Sequence, residues 1–318
     1  MKILTRAQTA EFLTKNDNYV ILTHRRPDGD TLGSAALLCR GLRSLGKTAH
    51  ILRNPEITAK YAHLHEGLTT DTVDSGDILV AVDTASKGML PEAFSQYADR
   101  IVLRIDHHRT AESFTQMELV EPDTAACGEL VARVLSLAGV QLDKPMANAL
   151  YTAISTDTGC FRYANTTAET FEVAAYCAYN GADLFAINQA LFETRSLGRL
   201  RLEGWLVEHM ILLENGAIAI CPLPKSVEEE LGLTEDDLEN ISGFPRSIEG
   251  VKIAATLRQE GADKIKISVR AVPGYDAAAI CANFGGGGHK GAAGASMTCT
   301  MDEAVAAIRA VMPKIIEN

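Results

Sequence analysis

The sequence predicts an α/β chain: a mostly parallel sheet with helices on both faces, then a helical connector, then a smaller α/β domain. Three observations lead there. Short apolar runs rich in β-branched residues, at 19–23, 78–82 and from Ile101, alternate with segments of helical pattern, as buried parallel strands and their crossovers do. The character changes after about Leu184, where a long helical stretch precedes a set of strands with period-two alternation. At 318 residues and 47% hydrophobic content the chain has room for about two domains of roughly 100–200 residues each. The expected boundaries are 1–185, a connector at 186–214, and 215–318.

Residues 9–15 suit an opening helix. The strand at 19–23 stops at His24-Arg25-Arg26-Pro27-Asp28-Gly29-Asp30, where Pro27 and Gly29 break regular structure. Asp30 or Thr31 can then cap a helix running through Leu37, Leu38 and Leu42 until Gly46 ends it. His24, Asp28 and Asp30 thus share one strand-to-helix loop. The strand at 78–82 terminates in Asp83, a helix at 91–97 follows, and the next strand ends in Asp106, His107 and His108. Helices are expected at 129–138, 146–154 and 167–179, the second of them delivering Asp157 in a polar run. The stretch 187–214 reads as mainly helical and carries the one tryptophan, Trp205. Beyond it come a strand at 217–221, a pair at 251–258 and 264–271, a helix at 276–283, a glycine loop at 285–288, a strand at 295–300 and a closing helix from Met301. Ile265, Ile267 and Val269 alternate with Lys264, Lys266 and Ser268, as in a half-buried strand.

The net charge of −11 argues against a protein that coats long nucleic acid, which needs a basic footprint. Short anionic substrates stay open if positive charge is local. The seven cysteines are scattered, and none are spaced C-x-x-C. They fit reduced, buried thiols better than disulfides or a zinc knuckle. No apolar run approaches the ~18 residues of a membrane span. A soluble cytoplasmic protein with no membrane partner is expected.

Four element ends in the first domain stop at acidic or imidazole residues: His24/Asp28/Asp30, Asp83, Asp106/His107/His108, and Asp157. Taken singly, each has an ordinary reading as a turn, a cap or a partly buried histidine. Carboxyl ends of strands in open α/β sheets are where ligands sit, so together they argue for a site. That much charge in one cleft calls for divalent cations. An O/N donor set without thiolates suits Mn²⁺, with Mg²⁺, Co²⁺ or Fe²⁺ as alternatives, better than structural zinc. At least six such side chains suffice for two metals, an arrangement used for in-line attack on phosphorus. In the second domain the consecutive glycines before His289 and Lys290 suggest a backbone nest for an anion.

HRRPDGDTLGS from His24, Asp83 in VDTA, DHH at 106–108 and STDTGCFRYANTT around Asp157 resemble, in order and spacing, the motifs of the DHH phosphoesterases. GGGGHKGAAG at 285–294 resembles the signature of the associated DHHA1 domain. The resemblance is strongest to the bacterial subgroup that degrades nanoRNA and dephosphorylates pAp. It implies that His24 and Asp28 bind one metal, that Asp30, His107 and Asp157 bind a second, and that Asp83 bridges both. It further implies metal-activated water as the nucleophile, with no covalent enzyme intermediate. His108 would face the substrate phosphate and, with Asp83, act in catalysis. Asp106 would support from behind. Arg109 is a further phosphate contact by position. Gly286, Gly287, Gly288 and His289 would hold the terminal nucleotide, and Arg270 a phosphate. Relatives usually follow that arginine with serine; here Ala271 removes one hydroxyl contact. No catalytic role falls to the run 123–129.

The function so implied is a dimetal phosphodiesterase that hydrolyses short RNA to mononucleotides and acts on pAp. A cyclic di-AMP or pApA phosphodiesterase is the nearest alternative, and a catalytically silent nucleotide-binding regulator is a rival from another class. The expected partners are short RNA or small nucleotides and no long nucleic acid, with a homodimer left open.

Overall fold

Seven strands build the first sheet of the computed structural model, which describes residues 1–109 and 111–316. They are β1 (Lys2–Ile3), β2 (Tyr19–Leu22), β3 (Ala49–Leu52), β4 (Thr69–Thr70), β5 (Ile78–Val82), β6 (Ile101–Asp106) and β7 (Met117–Val120). Their order is β1-β7-β6-β5-β2-β3-β4, and every neighbouring pair is parallel. The three strands legible as apolar runs, β2, β5 and β6, lie side by side in the middle, where both faces are covered.

The helices of this unit are α1 (Arg6–Lys15), α2 (Gly29–Ser44), α3 (Cys127–Leu137), α4 (Lys144–Asp157), α5 (Ala168–Tyr179) and α6 (Leu184–Asn188), the last running into a π turn at Gln189–Glu193. On one face of the sheet Ile21, Val80, Val82, Leu103 and Ile105 share a core with Leu13, Leu37, Leu130, Leu150 and Ile154 from these helices. On the other, Val20, Leu22, Leu79 and Ala81 pack against Leu90, Phe94 and Ala98. That face is covered by a 3-10 helix at Glu92–Arg100, where an α-helix was expected at 91–97. Its first turn closes three residues apart, with Phe94 N–H donating to the Pro91 carbonyl at 2.8 Å.

α2 is capped two or three residues earlier than expected. Asp28 is the N-cap, accepting from the N–H groups of Asp30 (3.0 Å) and Thr31 (3.1 Å). α2 then crosses α4 at close range. A Cβ on Gly29 would fall 2.4 Å from Cγ2 of Thr156, and one on Gly33 would fall 2.4 Å from the Ala149 carbonyl oxygen.

The chain divides between Thr194 and Arg195, inside the stretch expected as a connector. Asn188 accepts from the Tyr151 hydroxyl at 3.1 Å and Leu191 packs on the first core, whereas Leu202 and Leu206 join a core with Cys221 and Leu223. Residues 186–214 are therefore shared between the units.

The second unit comprises α7 (Leu197–His209), β8 (Ile211–Leu213), β9 (Ile218–Leu223), α8 (Lys225–Glu230), α9 (Glu235–Leu238), β10 (Ile253–Gln259), β11 (Lys264–Ala271), α10 (Ala277–Ala282), β12 (Gly287–Gly288), β13 (Ala292–Thr298) and α11 (Met301–Ile316). Its sheet runs β12-β13-β11-β10-β9-β8, with only β9 and β10 parallel. Ile265, Ile267 and Val269 face Ile280, Ile308 and Met312, as their alternation predicts. The glycine run, expected as a nest, also pairs as a strand. Gly287 and Gly288 pair with Gly294 and Ala293, and the N–H groups of Gly285, Gly286 and His289 already donate to Ala282, Cys281 and Ala292. Glycine is needed because the strands touch: a Cβ on Gly288, whose φ is +144°, would lie 2.7 Å from the Ala292 carbonyl oxygen.

Candidate metal centre and active site

β2, β5 and β6 end along one edge of the first sheet, and α2 and α4 bring their own ends to the same edge. β2 delivers His24, β5 delivers Asp83, and β6 delivers Asp106, His107 and His108. Asp28 and Asp30 open α2, while Asp157 is the last residue of α4. An aspartate at a helix C-terminus meets the negative end of the helix dipole, so that position favours a nearby positive charge. Asp83 adopts φ +52°, a left-handed conformation that aspartate tolerates better than most residues. Its N–H donates to the Ile105 carbonyl at 2.9 Å, which ties the β5 end to β6.

Two groups of possible metal donors result, His24/Asp28/Asp83 and Asp30/His107/Asp157, and a third joins Asp83 to His107 and His108. Nε2 of His24 lies 3.7 Å from Asp28 Oδ1 and 3.5 Å from Asp83 Oδ2. Nε2 of His107 lies 3.6 Å from Asp30 Oδ2, 3.4 Å from Asp83 Oδ1 and 3.7 Å from Asp157 Oδ2. Asp83 thus turns a different oxygen to each imidazole. These separations exceed good hydrogen bonds. Two donors each about 2.1 Å from one ion stand roughly 3.0–3.4 Å apart, so the spacing is closer to that of ligands sharing a cation. The buried Oδ1 of Asp83 has no hydrogen-bond partner among the described residues, as expected of an oxygen reserved for an ion. The residues present therefore fit two divalent cations.

The ring orientations agree. Nδ1 of His24 donates to the Arg25 carbonyl at 2.8 Å and Nδ1 of His107 to the Thr124 carbonyl at 3.0 Å, turning each Nε2 toward the centre. His108 is held differently. Its Nδ1 donates to Asp106 Oδ1 at 2.8 Å, which also accepts from the N–H groups of His107 (2.9 Å) and His108 (3.3 Å). Asp106 is fully buried behind the triplet.

Burial and neighbouring charges act together on the buried imidazoles and carboxylates. Burial works to lower the His107 pKa, but the Asp83 contact and the charges of Asp30, Asp83 and Asp157 push it up to about 11. His24 rises likewise, its burial outweighed by Asp28 and Asp83. Burial raises Asp157 to about 7, assisted by Asp83 and opposed by His107. Asp30 is raised by burial and by Asp83. Burial pulls Asp83 upward too, yet His107 and His24 hold it well below the usual carboxylate range.

Sequence reasoning missed the support for Asp30. The N-terminus of α3 points its backbone at that carboxylate: Cys127 N–H donates to Oδ2 at 2.6 Å and Gly128 N–H to Oδ1 at 2.9 Å, with the Ser34 hydroxyl at 3.0 Å. The run 123–129, given no catalytic role, therefore positions both Asp30 and, through the Thr124 carbonyl, His107. A small-residue helix start (Ala126-Cys127-Gly128) was the available signal. Arg109 is exposed and paired with Asp123. In the second unit, Arg270 is half-buried with Nη1 donating to the Val269 carbonyl at 3.0 Å, and Gly287, Gly288 and His289 are exposed at the β12–β13 turn.

Residues 18–154 match the DHH family, N-terminal domain, and residues 215–318 match the DHHA1 domain. The chain is 33% identical to the bifunctional oligoribonuclease and PAP phosphatase NrnA of Thermus thermophilus, over 87% of this chain and 83% of that one. It is 27% identical to the cyclic-di-AMP phosphodiesterase GdpP of Bacillus subtilis over 88% of its own length, which spans 45% of that longer protein. Among solved structures, an exopolyphosphatase-related protein from Bacteroides fragilis superposes with a TM-score of 0.88 at 26% identity, covering 97% of this chain and 96% of the other.

Proposed function

Because this chain belongs to the DHH family and is a hydrolase of phosphoric ester bonds, we propose that it is a two-metal phosphodiesterase that degrades short oligoribonucleotides to mononucleotides and dephosphorylates pAp. The observation that carries the reading is the division of Asp83 between two donor groups, one with His24 and Asp28, the other with Asp30, His107 and Asp157. In this reading those six residues hold two divalent ions, Mn²⁺ by the character of the donors. Such ions, when bound, polarise a phosphoryl oxygen and lower the pKa of water.

The chain's own groups do the rest. His24 and His107 present Nε2 because backbone carbonyls hold their Nδ1–H groups. Asp30 keeps a single orientation because three donors grip its carboxylate. His108, its Nδ1–H committed to Asp106, leaves Nε2 to contact a phosphate oxygen or assist the leaving oxygen. Arg109 is a weaker candidate for phosphate contact, since it must first leave Asp123. Arg270, Gly286, Gly287, Gly288 and His289 are assigned to the terminal nucleotide, with Arg270 to its phosphate. The exposed β12–β13 turn supports this by offering backbone without side-chain obstruction.

The test is a panel of substrates in Mn²⁺: RNA two to five nucleotides long, pAp, pApA and cyclic di-AMP. The highest kcat/KM is expected on the short RNAs, with measurable release of phosphate from pAp. A clear preference for cyclic di-AMP would replace this reading with the alternative that shares its donor set.

A further inference from the structure

Arg104 stands two residues before Asp106 on β6 and is about 1% exposed, the bulkiest side chain so deeply buried among the described residues. A charge inside a sheet is costly unless it is paired and hydrogen-bonded. Its neighbours show what the charge is used for. Nη1 donates to the carbonyls of Ala85 (3.0 Å) and Thr84 (3.3 Å), the two residues after Asp83. The same nitrogen lies 3.6 Å from Oδ2 of Asp106, which has no hydrogen-bond partner among the described residues. Nη2 donates to Glu118 Oε2 at 3.0 Å on the neighbouring strand β7, and the guanidinium sits 5.0 Å from the centroid of the Phe114 ring.

Glu118 is itself held. It accepts from the N–H groups of Phe114 (3.1 Å) and Thr115 (3.4 Å) and from the hydroxyls of Ser113 (3.2 Å) and Thr115 (3.3 Å). Leucine or methionine at position 104 would pack in this sheet without any desolvation cost. Neither could reach the Asp83 turn, Asp106 and β7 at once; a planar, forked guanidinium can.

We propose that Arg104 is a positioning residue for phosphoester hydrolysis: anchored by Glu118, it braces the turn after Asp83 against Asp106 and so fixes the orientation of His108. The proposal rests on the reading of His108 as a substrate contact. A purely structural ion pair would affect folding and leave turnover alone.

The experiment removes the guanidinium together with the charge that anchors it, as Arg104→Met/Glu118→Gln, in which the glutamine side chain keeps an oxygen for the Phe114 and Thr115 amides. Melting temperature, Mn²⁺ binding by calorimetry, kcat and KM on a short RNA are measured in the wild-type and His108→Gln backgrounds. The double variant is expected to unfold cooperatively, at a lower temperature than wild type, and to bind the same number of Mn²⁺ ions. Its kcat should fall about 10–100-fold, the usual cost of losing an outer partner of a metal site, with KM within about twofold. In the His108→Gln background the same change should cost less than about threefold. Arg104→Lys, which keeps the charge but not the fork, is the second variant, and should lower kcat about three- to tenfold. Wild-type kcat in the folded variants, or full additivity with His108→Gln, would overturn the proposal alone. A His108→Gln enzyme with wild-type kcat would instead overturn the reading of His108, and the proposal with it.

Discussion

The backbone N–H of Cys127 donates to Oδ2 of Asp30 at 2.6 Å, so the first residue of α3 steadies a carboxylate at the start of α2. Proline is tolerated at the first position of a helix but has no N–H. Cys127→Pro should therefore delete this bond while sparing α3, lowering stability by about 1–3 kcal/mol and kcat at least tenfold. Cys127→Ala keeps the N–H and should stay within about threefold of wild type in kcat. Equal losses in the two variants would show that the side chain, not the amide, matters.

Asp83 is expected to be indispensable for metal binding and replaceable for folding. Asparagine accepts the +52° φ of that position, so Asp83→Asn should melt close to the metal-free wild type. Mn²⁺ stoichiometry, read by titration, should drop from two ions to one or none, and kcat should fall on the order of 10²–10³-fold. Chelation of the wild type should abolish turnover reversibly. A variant that still binds two ions would remove Asp83 from its bridging place.

His65 supplies a pH signature from outside the donor set. It is 4% exposed, its Nε2 donates to the Leu32 carbonyl at 3.0 Å, and burial pushes its pKa down to about 4 from 6.5. Between those values the unfolded chain binds more protons than the folded one. Stability from this residue is therefore full above pH ~6.5 and lost as pH falls toward ~4, by up to about 3 kcal/mol. Urea midpoints at pH 7.5 and pH 4.5 should differ more for the wild type than for His65→Gln. An identical difference in both proteins would contradict the assignment.

At the crossing of α2 and α4, Gly29→Ala would drive its Cβ into Thr156, 2.4 Å from Cγ2 and 2.5 Å from Oγ1. We expect a loss of about 1–3 kcal/mol in thermal or urea unfolding. Gly29→Ala/Thr156→Ala removes both atoms and should recover part of it. Absence of any recovery would mean that the strain lies in the Asp28–Asp30 backbone instead.

What the sequence made legible follows from burial. β2 and β5 are covered on both faces and so appear as unbroken apolar runs, β6 as one interrupted by Arg104, and the functional residues lie at or just beyond their ends. β3 and β7 went unseen because their four residues include polar members, a half-buried His50 and a buried Glu118 whose charge is met by Arg104 on the neighbouring strand. The donor side chains could be picked out by type and order. The groups that aim them could not, because the Arg25 and Thr124 carbonyls and the Cys127 and Gly128 amides are main chain, which every residue possesses. The glycine run was recognised as special for an incomplete reason: it admits a neighbouring strand at contact distance as well as leaving backbone exposed.

The close crossing at Gly29 and Gly33 acts as a gauge. Asp28 and Asp30 flank Gly29 on one helix and Asp157 adjoins Thr156 on the other, so helix spacing sets the bite of the donors that the reading places around the ions. Preference for one ionic radius over another then becomes a matter of how thick the residues at that crossing are. Substitutions buried along α2 and α4 could retune the choice of ion while every donor atom stayed the same.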